Sequence, residues 1–397
     1  MRVSTAGNFQ TGLQGIQQLQ LALDQTQRQI SSGQRILKPS DDPIAAGRAI
    51  GLRESLSRLE QFDRNAGIAR NRLALEEATL QSVNDVLQRV RELALQANNA
   101  TQSDETRGLI AVEIRQQLDS LVQFANAKDG TGAYLFSGNK SDAVPVARMG
   151  STFTYNGDQG QRLIQIGIGR QVADGDPGSS VFFQVRTGNG SFSVSPDAGN
   201  TGTGVVGEIS VTDPTQYDQD TYRVRFIDPA NYEVLDSGGA VVQTGAFQPG
   251  NTIAFQGIEL AVDGSPAAGD EFVAAPSSFR NVFETIDALA STIEQSVFDD
   301  ASRATLNNGV NANLLNIDQA LSTVLGVRTK VGSRLAAIES QTDANSSLAL
   351  SYEEAVSELQ DLDYAEALSR LSLNITTLEA AQQSFVRTQQ LSLFNYF

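Results

Sequence analysis

The sequence has no cysteine, no histidine and no tryptophan, and only two of its 397 residues are methionine. Without histidine there is no ordinary general base near neutral pH, no Ser-His-Asp or Cys-His arrangement, and almost no zinc chemistry. Without cysteine there is no thiol catalysis, no iron–sulfur ligation and no disulfide, so an extracellular life would depend on packing rather than on covalent staples. Catalysis by paired carboxylates alone stays formally open, but acid–base work most often uses histidine, and neither an enzyme nor a cofactor or metal site is expected. No apolar run approaches a membrane span. The N-terminus, Met1-Arg2-Val3-Ser4-Thr5-Ala6-Gly7, leads into a glutamine-rich stretch that lacks the continuous apolar core of a secretory signal. The chain is therefore expected either to stay in the cytoplasm or to be exported with its N-terminus uncleaved.

Basic residues are scarce where acidic ones are not. Residues 1–129 carry 15 acidic and 15 basic side chains, residues 130–276 carry 16 and 7, and residues 277–397 carry 15 and 7. An acidic middle and C-terminal part argue against nucleic acid or an anionic membrane surface as partner.

What is abundant is segregated. Of 34 glycines, 23 lie between Gly130 and Gly269, and eight of the ten prolines lie between Pro145 and Pro276. That window reads as turns and short β-prone runs. Thr152–Tyr155 is followed by Asn156-Gly157 and then Leu163–Ile166, a pattern that predicts a hairpin or tight turn, with further strands at Val181–Val185, Thr221–Ile227, Tyr232–Leu235, Thr252–Phe255 and Glu271–Val273. Both flanks read as helix. Ser40-Asp41-Asp42-Pro43 is a strong start, a polar cap ahead of a first-turn proline. From it one helix should run to about Asn99, followed by another over about Asp104–Lys128. Helix returns from about Ser278 to Gln360, with a break expected at Asn307-Asn308-Gly309, and starts again with Asp363 as cap and Glu366 three residues on.

The two ends carry a finer pattern. Phe9, Leu13, Ile16, Leu23 and Ile30 follow a heptad rhythm with Gln20 and Gln27 in the missing steps. Tyr364, Leu368, Leu371, Ile375, Leu378 and Phe385 do the same, with Gln382 and Gln389 in register. Spacings of three and four put one apolar seam along each helix, suited to a coiled-coil partner. A narrow seam interrupted by amides leaves a lone helix marginal in water, so these eleven residues are expected to form an assembly seam, the two flanks packing on each other and on further subunits.

Several segments carry a family likeness. Ser31-Ser32-Gly33-Gln34-Arg35-Ile36 with Lys38-Pro39-Ser40-Asp41-Asp42-Pro43-Ile44-Ala45-Ala46, and Leu87–Ala97, resemble the signatures of the flagellin family. The terminal Met1–Thr5 and Leu391–Phe397, Tyr134–Gly138 and Gly157–Arg162 resemble those members of the family that join the hook to the filament. The resemblance implies a mainly α, elongated flagellin-like fold with an inserted β domain. Residues 1–42 and 361–397 would form a terminal coiled-coil domain, 43–180 and 272–360 a helical-bundle inner domain with a β-hairpin, and 181–271 a β-rich outer domain. It further implies a structural subunit of the bacterial flagellum, required for filament assembly and motility. Such a subunit is exported through the flagellar type III apparatus without signal cleavage, and assembles outside the cell as a ring of copies between hook-associated protein 1 and flagellin. A cytoplasmic export chaperone would engage the C-terminal helix. The alternative within the family is a filament-forming flagellin, against which the ending Ser392-Leu393-Phe394-Asn395-Tyr396-Phe397 stands.

Two sharper motifs have plainer readings. Gly202-x-Gly204-x-x-Gly207 spells a dinucleotide fingerprint, yet it precedes a β-like run rather than a helix. Asp174-Gly175-Asp176 lacks the spaced ligand series of a calcium loop and reads as a turn.

Overall fold

The computed structural model describes residues 5–390, excluding the side chains of Thr5, Ala6, Asn8, Gln389 and Gln390. The terminal signatures Met1–Thr5 and Leu391–Phe397 and the seam position of Gln389 therefore fall wholly or largely outside the described residues. Helical N- and C-terminal regions enclose a central β-rich region. Helices α1 (Thr5–Ser32), α2 (Pro43–Ala97) and α3 (Asp104–Ala125) precede it, and α4 (Val282–Ile293), α5 (Asp300–Gln360) and α6 (Tyr364–Gln390) follow it. The chain forms two compact units, one from the residues up to Arg64 with those from Gln341 onward, the other Asn65–Ser340. Compactness thus divides α2 and α5 internally, rather than at the connections near 42 and 361. The starts of α2 and α6 follow the capping logic of the sequence: the Asp42 carboxylate accepts from Ala45 N–H at 3.0 Å, and that of Asp363 accepts from Ala365 N–H at 2.9 Å.

Within the larger unit, Leu80, Val83, Leu87 and Val90 of α2 pack with Ile114 and Leu118 of α3, Ile286 and Leu289 of α4, and Val310, Ile317 and Val324 of α5 in one core. Two hairpins lie beside it, β1 (Val146–Met149) with β2 (Thr152–Tyr155) and β3 (Leu163–Gly167) with β4 (Arg170–Ala173). They turn at Gly150 and Gly169, both in the left-handed region at φ 66° and 74°. Asn156-Gly157 makes no hairpin between β2 and β3. Gly157 is needed there for a close approach, since a Cβ would lie 2.7 Å from Ser137 O.

The predicted strand at Val181–Val185 is instead a single π-helical turn, Ser179–Phe183, leading into the short β5 (Val185–Arg186). Its Val181 and Phe182, with Val185, belong to the helical core; the Phe182 ring meets Phe136 edge-on at 5.3 Å and Phe283 at 5.6 Å. β5 pairs with β14 (Phe279–Arg280). Between them a second core is closed by two antiparallel sheets. One is five-stranded, in the order β10 (Val241–Ala246), β9 (Asn231–Leu235), β8 (Tyr222–Asp228), β13 (Glu271–Pro276), β6 (Phe192–Pro196). The other is three-stranded, in the order β11 (Thr252–Phe255), β12 (Ile258–Asp263), β7 (Val205–Val211). Phe226 centres this core, edge-on to Phe247 at 4.9 Å and to Phe272 at 6.0 Å.

No break occurs at Asn307-Asn308-Gly309; α5 is continuous, and the interruption lies before it, at 294–299. Both marked residues serve packing. A Cβ on Gly309 would stand 2.6 Å from Thr292 Cγ2 of α4. Asn308 accepts from Val206 N–H at 2.7 Å and donates to Gly204 O at 2.8 Å, pairing with strand β7 as another strand would. Gly204 leads into that strand and not into a helix, which leaves the dinucleotide spelling without its structural context.

Candidate assembly surface on the terminal helices

The smaller unit is built around α1 and α6, which run antiparallel. Asn374 lies 3.4 Å from Thr26, and the Phe9 and Phe385 rings are 5.2 Å apart. Gly12 permits the latter approach, since its Cβ would come within 2.9 Å of the Phe385 ring.

The segment Ser32–Ile36 closes one end of this pair. Gly33, at φ 72°, ends α1 with its N–H on Gln29 O at 2.9 Å, a conformation open to glycine at little cost. Gly33 O then accepts from Leu362 N–H at 3.0 Å, and Arg35 N–H donates to Gln360 O at 2.7 Å. The Arg35 guanidinium caps Leu359 O at 2.7 Å, and the buried Gln29 side chain donates to Arg35 O at 2.6 Å. Asp41 holds the following loop by accepting from Leu37 and Lys38 N–H at 3.1 and 2.9 Å. Ile36, Ala45 and Ala46 pack beneath, against Leu359. The motif that carries the family likeness is thus a clamp between the first helix and the connection into the last.

The eleven seam residues divide into two groups. Ile16, Leu23, Ile30, Leu371, Leu378 and Phe385 are partly buried. They share their stripes with Leu19 and the buried Thr26 on α1, and with the buried Ala367 and with Asn374 and Ala381 on α6. The glutamines proposed for the missing steps, Gln20, Gln27 and Gln382, are exposed. Each inward stripe is therefore rotated by one residue at alternate positions, with Thr26 inward beside exposed Gln27, Ala367 beside Leu368, Asn374 beside Ile375 and Ala381 beside Gln382. The remaining five, Phe9, Leu13, Tyr364, Leu368 and Ile375, stay exposed. Tyr364, Leu368 and Ile375 are 52%, 53% and 40% accessible, at a spacing of four and seven along one side of α6. Leu21, Leu373 and Val386 add to the apolar surface of the pair. Soluble monomers rarely leave this much aligned apolar side chain in water without a partner for it.

A second cluster is built from charged side chains of the larger unit. Asp174 and Asp176, expected as a plain turn, are both buried and paired with Arg162 and Arg334. No sequence periodicity marks it, because the partners come from elements 158 residues apart. Among the described residues no group of acidic side chains is arranged to hold a metal ion, and no helix is long and apolar enough to cross a membrane.

Residues 3–141 match the bacterial flagellin N-terminal helical region and residues 314–397 the bacterial flagellin C-terminal helical region. The chain is similar to FlgL of Xanthomonas campestris, at 33% identity and a TM-score of 0.72, over 77% of this chain and 99% of that one. It is similar to the flagellar junction protein FlgL of Legionella pneumophila, at 30% identity and a TM-score of 0.72, over 79% of this chain and 100% of that one. It is also 25% identical to flagellar hook-associated protein 3 of Escherichia coli over 395 residues, 99% of each chain. These relatives are structural proteins of the flagellum, not enzymes. With its paired terminal helices, its Ser-Gly-x-Arg-Ile clamp and a likeness that spans nearly the whole of these relatives, the chain belongs to the FlgL family of flagellar hook-associated proteins.

Proposed function

We propose that this chain is a structural subunit of the flagellum that forms the junction between hook-associated protein 1 and the flagellin filament, and that filament growth and motility require it. The observation that supports this most strongly is the division of the seam: one stripe of each terminal helix is used within the chain, and a second apolar stripe on α6, Tyr364, Leu368 and Ile375, is left for neighbours. In the assembled state that second stripe packs against further copies in a ring and against the axial proteins above and below. Burial of about 25 cal/mol per Å² of apolar surface drives the association. Export proceeds through the flagellar type III route with the N-terminus uncleaved, and a cytoplasmic chaperone engages the C-terminal helix beforehand. The finished position is extracellular, at the hook–filament junction.

A chromosomal deletion tests this reading. Hooks without filaments, with flagellin accumulating in the medium, are expected by electron microscopy and analysis of the supernatant. Normal filaments on the deletion strain would contradict the junction role, and hooks continued by a different filament would favour the filament-subunit alternative.

A further inference from the structure

The larger unit contains a nearly closed network of charge. Arg72 of α2 pairs with Asp129 and donates from Nη2 to Tyr134 O at 2.9 Å. Asp174 accepts from Arg162, Nε at 2.8 Å. Asp176 receives both guanidinium nitrogens of Arg334 of α5, at 2.7 and 3.0 Å, and Gln161 Nε2 at 2.7 Å. The backbone N–H of Asp176 donates to Glu76 Oε1 at 3.0 Å. Two side-chain atoms in this network are buried and without a protein partner: Arg72 Nε and Glu76 Oε2. Arg72 is 9% exposed and Glu76 1%. Arg72 Nε stands 3.7 Å from Asp174 Oδ2, too far for a direct hydrogen bond.

Both atoms converge on Gly175. A Cβ there would lie 3.7 Å from Arg72 Nε, 3.8 Å from Glu76 Oε2 and 3.6 Å from Leu135 O, and the glycine has no left-handed φ to explain it. A cavity of about 70 Å³ opens beside it, walled by Arg72, Leu135, Arg162, Asp174, Gly175 and Asp176 among others but not by Glu76, so it adjoins the glycine on the Arg72 side. We propose that Gly175 keeps open a binding site for one internal water molecule, held by Arg72 Nε, Glu76 Oε2 and Leu135 O. The ligand must be neutral, since a cation would face the Arg72 guanidinium and an anion the carboxylates of Asp174 and Asp176. It must also both accept and donate. Water accepts from Arg72 Nε–H, donates to Leu135 O, and donates its second proton to Glu76 when that group is a carboxylate. When Glu76 is protonated, water accepts from its hydroxyl instead. A water needs two to four polar partners, and the three atoms around Gly175 supply them.

Two measurements on the full chain test the site. A high-resolution crystal structure should show an oxygen roughly 2.7–3.2 Å from Arg72 Nε and from Glu76 Oε2. In Gly175→Ala the added methyl meets these atoms at ordinary contact distance, so the variant folds but expels the water. Its unfolding equilibrium constant should rise about tenfold or more, because two buried polar groups lose their partner. Gly108→Ala, on an open face of α3, is the control and should shift the constant the other way by about threefold to fivefold. Density that is empty at this position, or a Gly175→Ala variant as stable as the parent, would overturn the assignment.

Discussion

Among single residues, Glu76 is the one whose chemistry is most displaced by the fold. Burial, reinforced by the charge of Asp176, pushes it up to about 8 from its ordinary 4.5, against the Asp176 N–H hydrogen bond and the guanidiniums of Arg334 and Arg72. Between those two values the folded chain holds a proton that the unfolded chain has released. Its contribution to stability is therefore fully present below the ordinary value and is lost as pH rises through about 8. Glu76→Gln keeps the shape and hydrogen-bonding capacity of the protonated acid and removes the titration. Urea unfolding of parent and variant from pH 5 to 9 should diverge, the parent losing up to about 1.4 kcal/mol per pH unit more than the variant in the lower part of that range. Parallel pH profiles would mean that Glu76 is charged in the folded chain. Nothing in the letters around Glu76 announces this, since Asp176 is 100 residues away and the burial arises only when the 174–176 segment lies over α2.

Among elements, the β region is joined to the helical core by more than two ends of chain. Val181, Phe182 and Val185 lie in the helical core, so a cut at 180/181 removes core side chains, whereas Thr187 N–H already bonds Ser278 O at 3.0 Å. Removing 188–277 and closing Thr187 to Ser278 with a two-residue Asn-Gly turn should leave a cooperatively folding helical protein. The Asn308 amide, and that of Asn316, which accepts from Gly188 N–H at 2.8 Å in the full chain, are then satisfied by water. Removing 181–271 should not fold, since loss of Phe182 alone costs about 3–5 kcal/mol. Thermal unfolding followed by circular dichroism distinguishes the two, and equal stability would show that the π turn is dispensable. The same stretch shows where sequence reading succeeded and failed. Strands such as Tyr232–Leu235 and Thr252–Phe255 were legible from β-prone composition, and the starts of α2 and α6 from capping aspartates. The π turn was not, because Val181 and Phe182 satisfy a strand propensity that burial against Phe136 and Phe283 overrides. Asn307-Asn308-Gly309 spelled a breaker because its tertiary partners, β7 and Thr292, are invisible locally.

For the whole molecule, heptad spacing located the terminal helices, and six of the eleven seam residues lie partly buried in that pair. The other five are exposed, and at alternate steps the inward place is taken by a neighbouring threonine, alanine or asparagine that a count of apolar heptad positions passes over. The exposed residues are the informative ones. They separate a stripe that holds the chain's own ends together from a stripe left for other subunits, and the two can be tested apart. Leu371→Asp with Leu378→Asp places carboxylates between α1 and α6, and should unpair them in the isolated subunit at a cost of several kcal/mol. Loss of helicity by circular dichroism and faster limited proteolysis of α1 would report it; unchanged helicity would place those leucines outside the pair.

Leu368→Asp with Ile375→Asp changes only exposed positions and should leave the isolated subunit as helical and as stable as the parent. The decisive measurement introduces this double variant into a strain deleted for the chain, and compares the amount exported with the filaments seen by electron microscopy. The account predicts normal export of the variant, bare hooks, and flagellin released to the medium. Full-length filaments on cells carrying the exported variant would contradict the claim that the second stripe makes the assembly contacts.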